Sequence, residues 1–232
     1  MPDLGDALLF FAVFLFSTTL HEAAHAWAAL RLGDPTAYHG GQVTLDPMPH
    51  IRREPFGMVA LPLISAVVSG WPLGFASAPY DPEWAERYPQ RAAWMALAGP
   101  AANFLLVIVA GLLLRAGAAG GVFSAPDSIS FGDLAAAGTQ QWDVAGRVLS
   151  AIFSMNLLLM AFNLLPVPPL DGSAVVALGL TPDAARRYQG FLRSTPMLAW
   201  LGLFAAWQAF DFVFDPVWVA AVSLIYPGVS YG

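Results

Sequence analysis

The sequence predicts an all-α polytopic membrane protein, and three observations carry that reading. Of 232 residues, 57% are hydrophobic and only 11% are charged, whereas soluble domains carry about a quarter charged residues. Several apolar runs approach the length of about 20 residues that a bilayer crossing requires. The longest polar stretch is about thirty residues, too short for an accessory domain of about fifty. About four to five transmembrane helices are expected, with a re-entrant hydrophobic segment and a short membrane-associated β-hairpin. One membrane-embedded domain is expected to fill residues 1–232.

The first span is expected from about Ala7 to Leu32. Gly33-Asp34-Pro35 closes it, Gly through low helix propensity and Pro by blocking continuation. The start, Met1-Pro2-Asp3-Leu4-Gly5-Asp6, lacks the positive residues of a signal peptide, so the first run is expected to stay as a span. Ala37 to Leu45, around Gly40-Gly41, reads as a hairpin of short strands, with an edge on which an extended peptide can pair. Asp46 to Ile51 reads as a rigid, Pro-containing loop. Phe56 to Phe75 is apolar but broken by Pro62, Gly70, Pro72 and Gly74. Ala92 to Leu114 is the next clear span. It holds Ala98-Gly99-Pro100-Ala101-Ala102-Asn103, small residues that let helices approach closely. Val144 to Leu165 is a further span, ending in Asn163-Leu164-Leu165-Pro166-Val167-Pro168-Pro169-Leu170-Asp171-Gly172. Met197 to Phe210 is the last full span. Val217 to Tyr226 is too short to cross alone and reads as interfacial or re-entrant.

Composition also excludes function classes. There is no cysteine, which rules out disulfides, thiolate metal sites and a cysteine nucleophile. Lysine is absent too, and no basic patch is formed that would suit nucleic acid.

One stretch carries chemistry: His21-Glu22-Ala23-Ala24-His25 lies inside the first apolar run. Positions four apart share one face of a helix, so His21 and His25 can bind one metal together, with Glu22 in reach of a water on it. At 1.5 Å per residue, His21 is about 20 Å along the span. Ionisable groups at that depth are costly and mark function. A zinc ion with a hydrolytic water gives three of them a reason to be there.

Two histidines do not complete a catalytic zinc site, which takes three protein ligands. Asp171 is the candidate third ligand, because it follows an apolar run broken by Pro166, Pro168 and Pro169. Unwound backbone at membrane depth occurs where it lines a cavity. The choice makes a topological demand. The histidine end of the first span and Asp171 share a face only if Phe56 to Phe75 re-enters instead of crossing. Arginine placement tests this separately. With re-entry, eight of ten arginines lie on one face, and Arg115 and Arg147 on the other; with a full crossing the split is five each. The positive-inside rule favours re-entry, placing the metal towards the cytoplasm and the N-terminus outside.

Taken in order, His21-Glu22-x-x-His25, Gly99-Pro100-x-x-Asn103 and Asn163-x-x-Pro166-x-x-x-x-Asp171-Gly172 resemble the site-2 protease family of intramembrane zinc metalloproteases. The likeness extends over about residues 7–180 and is greatest to the compact bacterial branch without PDZ or CBS domains. It implies zinc (Zn2+) held by His21, His25 and Asp171, Glu22 as catalytic base, packing roles for Gly99 and Pro100, and a role for Asn163 near substrate. It also implies a multi-pass protein of the bacterial inner membrane acting on transmembrane protein substrates, in regulated intramembrane proteolysis. Asn163 is the amide best placed to bind an oxyanion or substrate backbone; Asn156, Asn103 and His50 are further candidates. The residues alone leave a second reading open, a non-proteolytic zinc-binding scaffold or transporter. It would use the same ligands and have no need of Glu22.

Overall fold

A chain in lipid must satisfy its backbone polar groups internally, and helices do so segment by segment. The computed structural model describes residues 4–229 and Tyr231; residues 1–3, on which part of the reading of the chain's start falls, lie outside the described residues. The elements run α1 (Leu4–Leu32), α2 (Thr36–His39), α3 (Pro47–Arg53), a wide π-helical turn (Phe56–Ala60) continuing into α4 (Leu61–Ser69), and α5 (Pro82–Arg87). There follow α6 (Pro89–Ala119), strands β1 (Phe123–Ser124) and β2 (Ala136–Ala137), α7 (Gln140–Asn163), α8 (Asp171–Val175), α9 (Pro182–Ser194) and α10 (Met197–Ile225). Among the described residues, α1, α6, α7 and α10 are the four helices long and apolar enough to cross a membrane. The fold is all-α and polytopic.

The helices α1, α6 and α7 pack against one another at the centre, and α10 lies against α6 and α7. Small residues make the close contacts: Ala26, Ala29, Ala93, Ala110 and Ala151 are essentially fully buried. Backbones approach where side chains are short, which is how helices associate without a hydrophobic drive.

The segment from Phe56 to Phe75 turns back on itself. Gly70 ends α4 at φ 79°, a left-handed conformation that glycine adopts without steric cost. The chain then returns, and the Phe75 amide donates to the Gly57 carbonyl at 3.1 Å. Farther out, Ser77 Oγ donates to Glu54 Oε1 at 2.8 Å and Arg53 Nε to the Ser77 carbonyl at 3.0 Å. Both ends of the segment therefore lie side by side, so α6 begins at the end of the bundle where α1 stops. The opposite end is tied independently: Asp6 at the start of α1 pairs with Arg147 near the start of α7. Arg115 near the end of α6 donates to the Leu224 carbonyl at the end of α10.

Three local expectations are corrected. Ala37 to Leu45 is not a hairpin: Thr36–His39 is helical. The cause is Asp34, whose Oδ1 accepts from the Thr36 amide at 2.9 Å and whose Oδ2 accepts from the Asp81 amide at 2.9 Å. A carboxylate capping its own downstream backbone starts a helical turn where glycines alone suggest a hairpin. Gly41 (φ 71°) then closes it, and no strand edge exists there to pair with a peptide. The two paired strands lie instead at Phe123–Ser124 and Ala136–Ala137. Asp46 to Ile51 is likewise helical, with Asp46 as N-cap to Met48 and Pro47 at the first position of α3, where proline's missing N–H costs nothing. Finally, Val217 to Tyr226 is no separate interfacial piece. The helix α10 continues through Pro216 to Ile225, held because Phe214, Val222 and Ile225 enter the core beside Leu114, Phe153 and Leu157.

Candidate metal centre

The site is assembled from the middle of α1, the first half of α6, the end of α7 and the turn into α8. His21, Glu22 and His25 are all buried, and the two histidines fall on the face of α1 that packs against α6 and α7. Beyond Asn163 the prolines end α7. The turn at Leu165, Val167 and Leu170 is closed by its own backbone hydrogen bonds, Val167 N to Leu165 O at 2.8 Å and Leu170 N to Val167 O at 3.0 Å. It delivers Asp171 back to the histidines. Gly172 makes that return possible, since a side chain there would meet the Leu164 and Leu165 carbonyls.

His21, His25 and Asp171 converge. Their ligand atoms lie within 4.8 Å of one another, a group that could hold a metal ion. His21 Nε2 is 3.1 Å from Asp171 Oδ2, His25 Nε2 is 3.3 Å from the same oxygen, and the two Nε2 atoms are 3.0 Å apart.

The outer hydrogen bonds fix what those nitrogens present. His25 Nδ1 lies 2.8 Å from the Met95 carbonyl, which only accepts, so Nδ1 carries the proton and donates. For His21 the tautomer follows from a chain of amides. Asn156 Nδ2 donates to the Ile152 carbonyl at 2.7 Å and to Ser17 Oγ at 2.9 Å. Its Oδ1 therefore accepts from Asn103 Nδ2, at 2.8 Å. Asn103 Oδ1 is left to accept from His21 Nδ1, at 2.5 Å. As neutral imidazoles, both turn an unprotonated Nε2 towards the Asp171 carboxylate oxygen. In that form three acceptors face one point with no donor between them and repel one another unless a proton or a metal cation sits there. Two imidazole nitrogens and one carboxylate oxygen are also the ligand set of a class of catalytic zinc sites, and the groups behind a ligand set its tautomer and orientation.

Two further features belong to the site. Glu22 Oε2 is buried and has no hydrogen-bond partner among the described residues. Gly99 on α6 lies directly over both rings, and a side chain there would occupy the space of His21 Nε2 and His25 Nε2. Glycine at that position sets how closely α6 approaches α1.

The remaining sequence-derived candidates fall elsewhere. Asn103 is fully buried, with its amide committed to His21 and Asn156, which places it behind the His21 ring. Asn163 Nδ2 donates to the Leu159 carbonyl one turn back at 2.9 Å. His50 is buried in α3, with Nε2 3.2 Å from the Thr44 carbonyl, and is not among the converging ligands. Reading the sequence missed two groups that hold the site's side chains in place, Ser17 behind Asn156 and the Met95 carbonyl behind His25. Ser17, Asn103 and Asn156 share a visible signal, each being a polar residue inside an apolar span. The Met95 carbonyl has none.

Comparison with known proteins agrees with this geometry. The family model of peptidase family M50 matches residues 9–202. YwhC of Bacillus subtilis, provisionally named a zinc metalloprotease, is 30% identical over 190 residues, 82% of this chain and 77% of YwhC. Rip2 of Mycobacterium tuberculosis H37Rv, named in the same way, is 31% identical over 182 residues, 78% of this chain. Rip2 of Mycolicibacterium smegmatis is 27% identical over 186 residues. The chain covers 61% of the length of either Rip2 protein. No solved structure matches. With a family match across most of its length, the chain belongs to the site-2 protease family, peptidase family M50.

Proposed function

We propose that this protein is an intramembrane zinc metalloprotease that hydrolyses peptide bonds in or near transmembrane segments of membrane-protein substrates. One observation carries the reading: His21, His25 and Asp171 meet inside a bundle of apolar helices, beside a buried carboxylate oxygen of Glu22 with no partner. A structural metal site has no use for such a group, whereas hydrolysis needs a base.

His21, His25 and Asp171 would hold zinc, leaving a position open for water. Bound there, zinc supplies Lewis acidity and lowers the pKa of a water towards neutrality. Glu22 takes the proton of the attacking water on its free oxygen and passes it to the leaving nitrogen. Asn103 and the Met95 carbonyl hold the two rings in the tautomer that leaves Nε2 free. Asn163, at the mouth of the unwound turn, is partly buried. Its carbonyl and remaining N–H suit a role in binding the substrate backbone. A single domain over residues 1–232 holds these parts.

Arginine placement supports the orientation. Arg31, Arg52, Arg53, Arg87, Arg91, Arg186, Arg187 and Arg193 lie in or beside segments that connect at the metal-site end of the bundle, so the positive-inside rule puts that end towards the cytoplasm and the N-terminus outside. The membrane is a bacterial inner membrane on this reading.

The test is co-expression of wild type and Glu22→Gln with a panel of single-span membrane proteins, read as fragments on blots, with zinc content measured on both purified forms. Glu22→Gln is expected to lose cleavage by about 10²–10⁴-fold and to keep its zinc. Undiminished cleavage by Glu22→Gln overturns the role of Glu22. Bound zinc without cleavage by wild type across the panel favours the scaffold or transporter.

A further inference from the structure

Outside the metal site, the outer face of the bundle carries an apolar groove of about 360 Å³ between the last turns of α1 and the first turns of α6. Trp27, Ala28 and Leu32 line one side, Trp94, Ala98 and Ala101 the other. Trp27 and Trp94 are each more than half exposed, as tryptophans are where a span meets the headgroup layer. One arginine lies in the lining and a second is bonded to it from outside. Arg31 lines the groove with its guanidinium 5.6 Å from the Trp27 ring. Arg91 donates to the Leu32 carbonyl at 3.2 Å, stacks 4.4 Å over Tyr88 and is exposed.

Among the described residues, no carboxylate pairs with Arg31 or Arg91. The acid nearest Arg31 in sequence, Asp34, is buried and committed to Thr36 and the Asp81 amide, and the acid nearest Arg91, Glu86, faces Arg193 at 4.0 Å. Arg31 in the lining and Arg91 beside it, neither paired with an acid, fit a ligand that is anionic at one end and apolar along the rest. A second helix, about 10 Å across, would ride over so small a groove without filling it.

We propose that this groove binds one anionic phospholipid, with an acyl chain between α1 and α6 and its phosphate at Arg31 and Arg91. Basic pockets between spans at a cytoplasmic face recognise headgroups in this way. The site bears on the metal centre, because Ala98 adjoins Gly99 and Ala28 lies one turn beyond His25. A chain seated there braces the contact between α1 and α6 on which the ligands depend.

The test uses the full chain in detergent, read by native mass spectrometry after addition of phosphatidylglycerol or phosphatidylcholine with the same acyl chains. One phosphatidylglycerol is expected to be retained in preference. Arg31→Gln with Arg91→Gln should weaken retention by about fivefold for each arginine removed. Ala101→Phe, which fills the groove and leaves both charges, should weaken it as well. Equal retention of the two lipids would mean an unspecific lipid belt and overturn the proposal. Displacement of the lipid by inorganic phosphate alone would reduce the site to a free-anion site and overturn the lipid. Should the double variant not fold, Arg31→Gln and Ala101→Phe decide between the same outcomes, and no effect of either on retention refutes the site.

Discussion

Helices α1 and α10 have the same length, 29 residues each, and are almost equally apolar. Yet 56% of the most apolar stretch of α1 is buried within the protein, against 17% for α10. Hydropathy marks both as spans and does not tell which one is enclosed. The difference lies in the polar minority. In α1, Ser17, Thr18, Thr19, His21, Glu22 and His25 are all buried, and such groups must be covered by protein because lipid offers them no partner. In α10 most large side chains face outward, with Trp200 at 77% and Phe212 at 86% exposure. Only Gly202, Ala206, Phe214, Val222 and Ile225 are enclosed among its described residues. One helix is a core element that happens to be hydrophobic; the other is a wall between the core and the lipid.

That contrast can be broken most severely at Gly99, where α6 presses on both imidazoles. Gly99→Val is expected to bring purified protein from about one zinc per chain to almost none by elemental analysis. A full zinc complement in that variant would show that the close approach of α6 is not what sets the ligands. Asn103→Ala comes next. It leaves His21, His25 and Asp171, the three proposed ligands, in place and removes the acceptor that fixes His21, so zinc affinity should drop by about 10–100-fold in competition with a chelator. Asn156→Ala should act in the same direction and less, since it acts through Asn103.

The wall helix has its own sensitive point. Gly202 lies against the backbone of Pro168, in the turn that delivers Asp171. Gly202→Val should cost about 1–3 kcal/mol of stability as an overpacked contact, seen as a lower thermal midpoint in detergent. Phe212→Ala should do least, within about 0.5 kcal/mol by the same measurement, although it removes far more side chain. If Phe212→Ala proved the more damaging of the two, the picture of α10 as a wall anchored at its few enclosed residues would fail.

Much of the site is legible in the amino-acid sequence. His21 and His25 at helical spacing, a carboxylate between them, and a Pro-broken segment ending in Asp171-Gly172 are local patterns with chemical reasons. Arginine placement also signals that Phe56 to Phe75 turns back, because the membrane's charge preference is written along the chain. What misled was competition between local signals. Gly40-Gly41 suggests a hairpin, but Asp34 caps a helical turn ahead of it. Val217 to Tyr226 looks too short to cross by itself, but Phe214, Val222 and Ile225 enter the core and keep it part of α10. Asn103 looks like a free amide near a metal; its two partners lie 82 and 53 positions away in sequence, beyond the reach of any local pattern.

The sequence by itself determined that the chain is built of apolar spans, which residues are able to bind a metal and the end of the bundle to which they belong. Each of these depends on hydropathy, helical period or charge, which neighbouring residues fix among themselves. Only the tertiary structure decided that Gly99 closes over the rings, that Asn156 and Asn103 set the tautomer of His21, and that Asp171 arrives across 150 residues to face both Nε2 atoms. These are contacts between groups brought together by folding, and their geometry is set by how closely three helices pack.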